Sequence, residues 1–274
     1  MSAREVMINA AAPPPVVEAP VQVGMQVGGN IVTGPAMQAY AILNSQRRCQ
    51  LRQQRQWIEA LTGFERNNRY VMRDESGRDL FFVQEGSTCL ERNCCKGECK
   101  AWRMDVYLLG PGGVDAGLQS MTPFMHLERP CTLTCFCLNR PEVEVSELPS
   151  GRVLGYIEEP FTCCNLTFTV HDTNRNPLLK TDISLCNWGL CCPCPCEGLP
   201  CQTVEFPITD FENGQEVAKI RKHWMFGDIC QCLGEWDNYW MEFGAVNNPD
   251  FKVLITGLAL FVQMRFFDSR NQQQ

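Results

Sequence analysis

Histidine is nearly missing from this sequence. His126, His171 and His223 are the only three in 274 residues. None stands in an HExxH metalloprotease pattern, and no GxSxG nucleophile elbow occurs. Gly110-Pro111-Gly112-Gly113 is not followed by Lys-Ser or Lys-Thr, so it reads as a turn and not as a phosphate loop. No carboxylate pair has spacing that suits general acid–base chemistry. These absences speak against a catalytic centre, and no enzyme is expected. A surplus of positive charge is also missing: 24 Lys and Arg face 31 Asp and Glu, a net charge of -7. Phosphate backbones are held by Lys and Arg, so no sequence-specific nucleic-acid partner is expected. Met1 to Ala12 has no apolar signal-peptide core, which points to a reducing compartment.

Long apolar runs are scarce as well. The strongest, Val253 to Met264, lies between Lys252 and Arg265. As a helix it would be roughly 18 Å long at about 1.5 Å per residue. A spanning helix needs about 20 apolar residues. A segment apolar nearly all round yet too short to span reads as a helix buried in protein, with membrane insertion as the alternative.

Cysteine, by contrast, is abundant, with eighteen residues. Cys94, Cys95 and Cys99 form one group, Cys131, Cys135 and Cys137 a second, and Cys163-Cys164 a pair. Cys191, Cys192, Cys194 and Cys196, interleaved with Pro193 and Pro195, are the densest. In a reducing compartment such clusters serve as zinc ligands, lipidation sites or small buried hydrophobes. Cys191 and Cys194 have the C-x-x-C spacing of a zinc site, but no second such pair and no ligand-like histidine accompanies them. Acyl chains on an exposed Pro-Cys loop would anchor a domain that has no spanning segment.

Residues 1–44, rich in Pro and Gly, read as a flexible arm, and 269–274 as a disordered polar tail. The Pro13–Pro20 stretch is a candidate for recruiting protein partners. Ser45 to Leu61 reads as a helix, with Leu51, Trp57, Ile58 and Leu61 on its apolar side and Arg47, Arg48, Arg52 and Arg55 opposite. It would dock on the domain or touch a membrane face. From Asn68 onward, period-two runs dominate: Tyr70–Arg73, Leu80–Val83, Trp102–Leu108, Glu142–Ser146, Leu166–His171 and Val204–Ile208. Many short strands imply an antiparallel barrel or sandwich. An all-β shell wrapped around one hydrophobic helix satisfies both signals.

Leu61-Thr62-Gly63-Phe64-Glu65 with Asn67-Asn68-x-Tyr70 resembles the opening of the phospholipid scramblase domain. Asn93-Cys94-Cys95, Leu127-Glu128-Arg129-Pro130, Gly155-Tyr156, Lys222-His223-Trp224 and the closing Phe266-Phe267 keep the same order. The resemblance runs from about Gln46 to Asp268, and we place the domain at 45–268. It implies a mostly β, tubby-like fold, a closed antiparallel barrel of about twelve strands around a central hydrophobic C-terminal helix. It also implies calcium-stimulated, ATP-independent, bidirectional movement of phospholipids between leaflets. The alternative is a lipid-anchored signalling or scaffold protein at the inner membrane face.

The resemblance further implies palmitoylation after the Leu127–Pro130 motif, at Cys131, Cys135 and Cys137. A second cysteine group matches Cys191, Cys192, Cys194 and Cys196. The partner is then a phospholipid membrane, at the cytoplasmic face of the plasma membrane. A nuclear fraction would follow from the segment Ala218–Trp224, where Lys219, Arg221 and Lys222 keep positive charge. The family's acidic calcium segment aligns with Glu235, Asp237 and Asn238, but Val246 replaces an acid. Weak Ca2+ binding is therefore expected, since calcium wants about six to eight oxygen ligands.

Overall fold

The alternating runs become strands in the computed structural model, which describes residues 36–53, 68–86, 101–110, 113–114, 121–132, 134, 137–194, 196, 198–224 and 236–268. The strands are β1 (Arg48–Gln53), β2 (Arg69–Arg73), β3 (Asp79–Glu85), β4 (Trp102–Leu108), β5 (Thr122–Arg129) and β6 (Glu142–Glu147). They continue as β7 (Val153–Glu158), β8 (Asn165–His171), β9 (Pro177–Ser184), β10 (Thr203–Asp210), β11 (Glu216–His223) and β12 (Trp236–Glu242). Each pairs antiparallel with its sequence neighbours, and β1 pairs with β12, so the twelve close into a barrel without a free edge.

Period two decides which side chains enter. Trp102, Met104, Val106 and Leu108 of β4 are buried while Arg103 is exposed. Val204, Phe206 and Ile208 of β10 are buried on the same phase. What fills the barrel is α3 (Pro249–Val262), where every residue from Phe251 to Val262 is buried. Asn248 caps it through the Asp250 N–H, Pro249 occupies the first turn, and Asp250 sits at the positive end of the dipole. The helix continues as a π-helical turn over Gln263–Asp268. Among the described residues no helix is long and apolar enough to cross a membrane.

Two glycines permit this packing. A Cβ on Gly257 of α3 would lie 3.2 Å from Ile157 and Val145, so a bare backbone lets helix and wall approach. A Cβ on Gly155 would lie 2.2 Å from the His171 carbonyl oxygen, which is why the Gly-Tyr pair needs glycine.

The N-terminal reading needs correction. Ala36–Ser45, expected as part of a flexible arm, is a helix, α1. Its buried Ala36, Ala39, Tyr40 and Leu43 recur at helical spacing. Lys252 donates to the carbonyls of Asn44 and Gln46, both at 2.6 Å, and so satisfies the helix's C-terminal end. The helix expected from Ser45 to Leu61 is instead β1 as far as Gln53, with Cys49, Leu51 and Gln53 turned inward. Its alternation is short, and Leu51 also fits the apolar side that Trp57, Ile58 and Leu61 suggest. Residues 54–67, and with them the rest of that expected helix, lie outside the described residues, as do the Pro-rich stretch and the tail after Asp268.

Candidate functional site

A meander has two ends with different connections. The β5–β6, β7–β8 and β9–β10 connections leave one end of the barrel, and every described free cysteine except Cys49 lies on them. They are Cys137, Cys163, Cys164, Cys186, Cys191, Cys192, Cys194, Cys196 and Cys201. Cys49 is buried, and burial pushes its thiol up to about 12, so it stays inert. The two groups expected to be acylated, far apart in sequence, thus emerge from one end. Cys137, Cys191, Cys192, Cys194 and Cys196 are free there. Cys131 is held in a disulfide, so a thioester at that sulfur requires prior reduction. Cys135 lies outside the described residues.

The same end exposes large apolar side chains: Trp188 at 67%, Leu138 at 64%, Phe161 at 51%, Leu199 at 50% and Leu185 at 41%. These positions escaped the sequence reading. The available signal was the near absence of charge in the two flanking segments: 160–165 carry none and 185–202 only Glu197.

The β9–β10 connection is pinned rather than loose. Within it Asn187 caps the short helix α2 (Trp188–Cys191) by accepting from the Gly189 N–H. Leu190 is buried, and the Trp224 indole N–H donates to the Gly189 carbonyl at 2.8 Å. Trp188 is therefore presented outward by a fixed turn. Leu185 N–H donates to the Cys164 carbonyl at 3.0 Å, tying the β7–β8 connection to it. Within the thiol cluster, the Cys196 N–H donates to the Cys194 sulfur at 3.4 Å. That bond holds the Cys194 thiol below the usual range, whereas Cys196 is raised by Cys194.

Beneath these connections the inward phase of several strands ends on polar groups: Gln53 of β1, Glu85 of β3, Arg129 of β5 and Lys222 of β11, all buried. Glu159, just past β7, accepts from Arg265 Nε at 2.6 Å and Arg140 Nη2 at 3.0 Å, joining the π-helical turn to two connections. Lys222 is fully buried, its Nζ 4.9 Å from the Trp224 ring centre, 4.7 Å from Tyr239 and 5.2 Å from Phe267. Lys219 pairs with Glu205 and Glu216, and Arg221 with Glu205 and Glu242. The positive charges expected to mark a nuclear-import segment are thus committed within the barrel wall and lumen.

The segment expected to bind calcium is described only at its edge. Glu235 and the side chains of Asp237 and Asn238 lie outside the described residues. Val246 belongs to the hydrophobic core with Phe243. Among the described residues no three Cys, His, Asp or Glu side chains converge as metal ligands, so Cys191 and Cys194 are not joined there by a third.

Comparison with known proteins agrees with this architecture. The Scramblase family model matches residues 29–269. The chain belongs to the scramblase family. It is similar to phospholipid scramblase 1 of Homo sapiens, 28% identical over 226 residues, which cover 82% of this chain and 64% of the relative. Phospholipid scramblase 2 of Bos taurus is 28% identical over 220 residues, 80% of this chain and 67% of the relative. Phospholipid scramblase family member 5 of Homo sapiens is 23% identical over 222 residues, 80% of this chain and 73% of the relative. The chain thus spans less than two thirds of the human scramblase 1 length. No solved structure matches significantly.

Proposed function

We propose that this protein works at a phospholipid surface, promoting ATP-independent, bidirectional movement of phospholipids between leaflets. In this reading the barrel is held to the cytoplasmic face of the plasma membrane by thioacylation at its cysteine-rich end. The observation that carries it is the gathering of the described, accessible free thiols on three connections at one barrel end, which between them carry only Arg140, Glu159 and Glu197 as charges. Several acyl chains give stable anchoring where one gives only reversible binding. Membership of the scramblase family supports the lipid substrate. Calcium stimulation enters the same proposal only in weak form, because Val246 stands where the family has an acid.

A second reading is favoured by one observation. Phe251 to Val262 fill the lumen, so a headgroup has no polar path through the barrel. Lipid movement would then occur at the outer rim, or the protein would serve as a lipid-anchored scaffold or signalling component that recruits partners through its Pro-rich arm.

Purified protein reconstituted into liposomes with a fluorescent reporter lipid separates the two. Loss of inner-leaflet protection from an external quencher, without ATP, is expected for scrambling. Absent flipping, together with intact acyl labelling in cells, would favour the scaffold reading. Replacing Cys191, Cys192, Cys194 and Cys196 by Ser is expected to lower hydroxylamine-sensitive labelling and to turn stable membrane retention into reversible binding. Unchanged labelling would assign the thioesters elsewhere.

A further inference from the structure

The exposed apolar side chains at the cysteine-rich end have no explanation in acylation, because a thioester anchor requires only accessible sulfur. Trp188, Leu138, Phe161, Leu199 and Leu185 sit on three separate connections. Those connections leave one end of a closed barrel, so a flat surface laid across that end meets all of them together. We infer that this end inserts directly into the headgroup region of a lipid bilayer, with Trp188 and Phe161 as its leading anchors, before and independently of any acyl chain. The inference rests on the reading of this end as membrane-facing and specifies what holds it there.

Three observations select a bilayer rather than a protein partner. First, charge is scarce on the three connections that carry these side chains. Among the described residues of the three connections, Glu159 and Arg140 carry charge, and they bind each other at 3.0 Å. A protein interface normally adds a polar rim around its apolar centre, and these three connections supply almost no charged groups for one. Second, the exposed Trp188 is held outward by a capped, pinned turn, and tryptophan is favoured where an apolar body meets water at a membrane interface. Third, the opposite end is built differently. Its turns carry Asp74, Glu75, Arg78, Asp172, Arg175 and Glu212, and the only large exposed apolar residue on those turns is Phe211. The exposed apolar character is therefore concentrated on these three connections and is not a general property of the described loops.

The chemistry also predicts how binding responds to lipid and salt. With a net charge of -7, the chain gains nothing from an anionic surface. Insertion driven by apolar area should occur on neutral phosphatidylcholine and persist in high salt, where electrostatic attachment is screened.

The test uses the full chain produced in bacteria, unacylated and kept reduced, floated with phosphatidylcholine vesicles. Wild-type protein is expected to float in low and high salt alike. Trp188→Ser and Phe161→Ser should each weaken partitioning roughly three- to tenfold, as expected for removing an apolar side chain from the interface. Phe211→Ser, at the opposite end, should change nothing. Trp188→Phe supplies a measurement that does not depend on losing binding. It should still float, yet lose the part of tryptophan quenching that brominated lipid produces in the wild type. Failure to float, binding that appears only with phosphatidylserine and vanishes in salt, or equal quenching in Trp188→Phe would overturn the inference. Loss of acyl labelling in cells with vesicle binding intact would remove the thioacylation proposal and leave this one standing. Intact labelling without vesicle binding would do the reverse.

Discussion

At the scale of single residues, the cysteine cluster is not uniform. Spacing alone treats Cys191, Cys192, Cys194 and Cys196 as equivalents. In the folded chain Cys194 receives a hydrogen bond from the Cys196 N–H, which favours its thiolate. Cys196 is raised by Cys194, and Cys201 is raised first by burial. The thiolate is the nucleophile, so Cys194 should react before its neighbours as pH rises from neutral. Pulsed iodoacetamide labelling of the reduced protein, mapped by mass spectrometry at several pH values, checks this. Cys194 is expected to reach its plateau at the lowest pH, and first modification at Cys196 would contradict the geometry. Lys222 teaches a related lesson. Read along the chain it is one of a basic trio, but it shares the inward phase of Ala218 and Ile220, so alternation carries its ammonium into the lumen among three rings.

At the scale of elements, α3 is the axle of the molecule. Its apolar run was legible because it is hydrophobic on every face, which suits only burial or lipid. The barrel supplies the burial. Leu258 is fully buried, with no water to solvate a charge. Leu258→Asp should therefore prevent folding of the domain, since an unpaired buried carboxylate costs several kcal/mol, on the order of 3 or more. Leu258→Ala, which only opens a cavity, should fold with a stability loss of about 2–5 kcal/mol. Chemical denaturation followed by circular dichroism reads both. A folded Leu258→Asp protein that merely failed to associate with membranes would show that α3 belongs in lipid. The two ends of α3 are fixed by different means: Lys252 ties its start to α1, while Arg265 ties its π-helical extension to Glu159. α1 went unrecognised because only four buried positions, Ala36, Ala39, Tyr40 and Leu43, mark its face and it follows a long Pro- and Gly-rich stretch.

At the scale of the whole molecule, the barrel constrains what calcium can do. Val246, expected from the resemblance to stand in place of an acid, is buried in the core with Phe243. Isothermal titration of the purified protein should give a calcium dissociation constant no tighter than about 0.1 mM, the weak end of oxygen-ligand sites. Val246→Asp sharpens the test. Because that side chain points into core, the substitution is expected to lower the melting temperature rather than create a ligand. Micromolar binding in the wild type that is abolished by Asp237→Ala, or a marked gain in Val246→Asp without destabilisation, would restore a calcium-sensing site.

The sequence by itself determined the β character, the buried C-terminal helix and the family. Strand alternation, uniform hydrophobicity and ordered short motifs are all local patterns. Even so, Leu51 joined to Trp57, Ile58 and Leu61 was enough to make β1 look helical, because amphipathic periodicity over a few residues rests on one or two side chains. The joining of distant cysteines at one end was decided by the tertiary structure alone. So were the apolar crown of Trp188, Phe161, Leu138 and Leu199 around them and the withdrawal of Lys222 from the surface. The physical reason is that an antiparallel meander sends alternate connections to the same end. Which connections share a surface depends on how many strands close and in what order, and no single stretch of sequence carries that information.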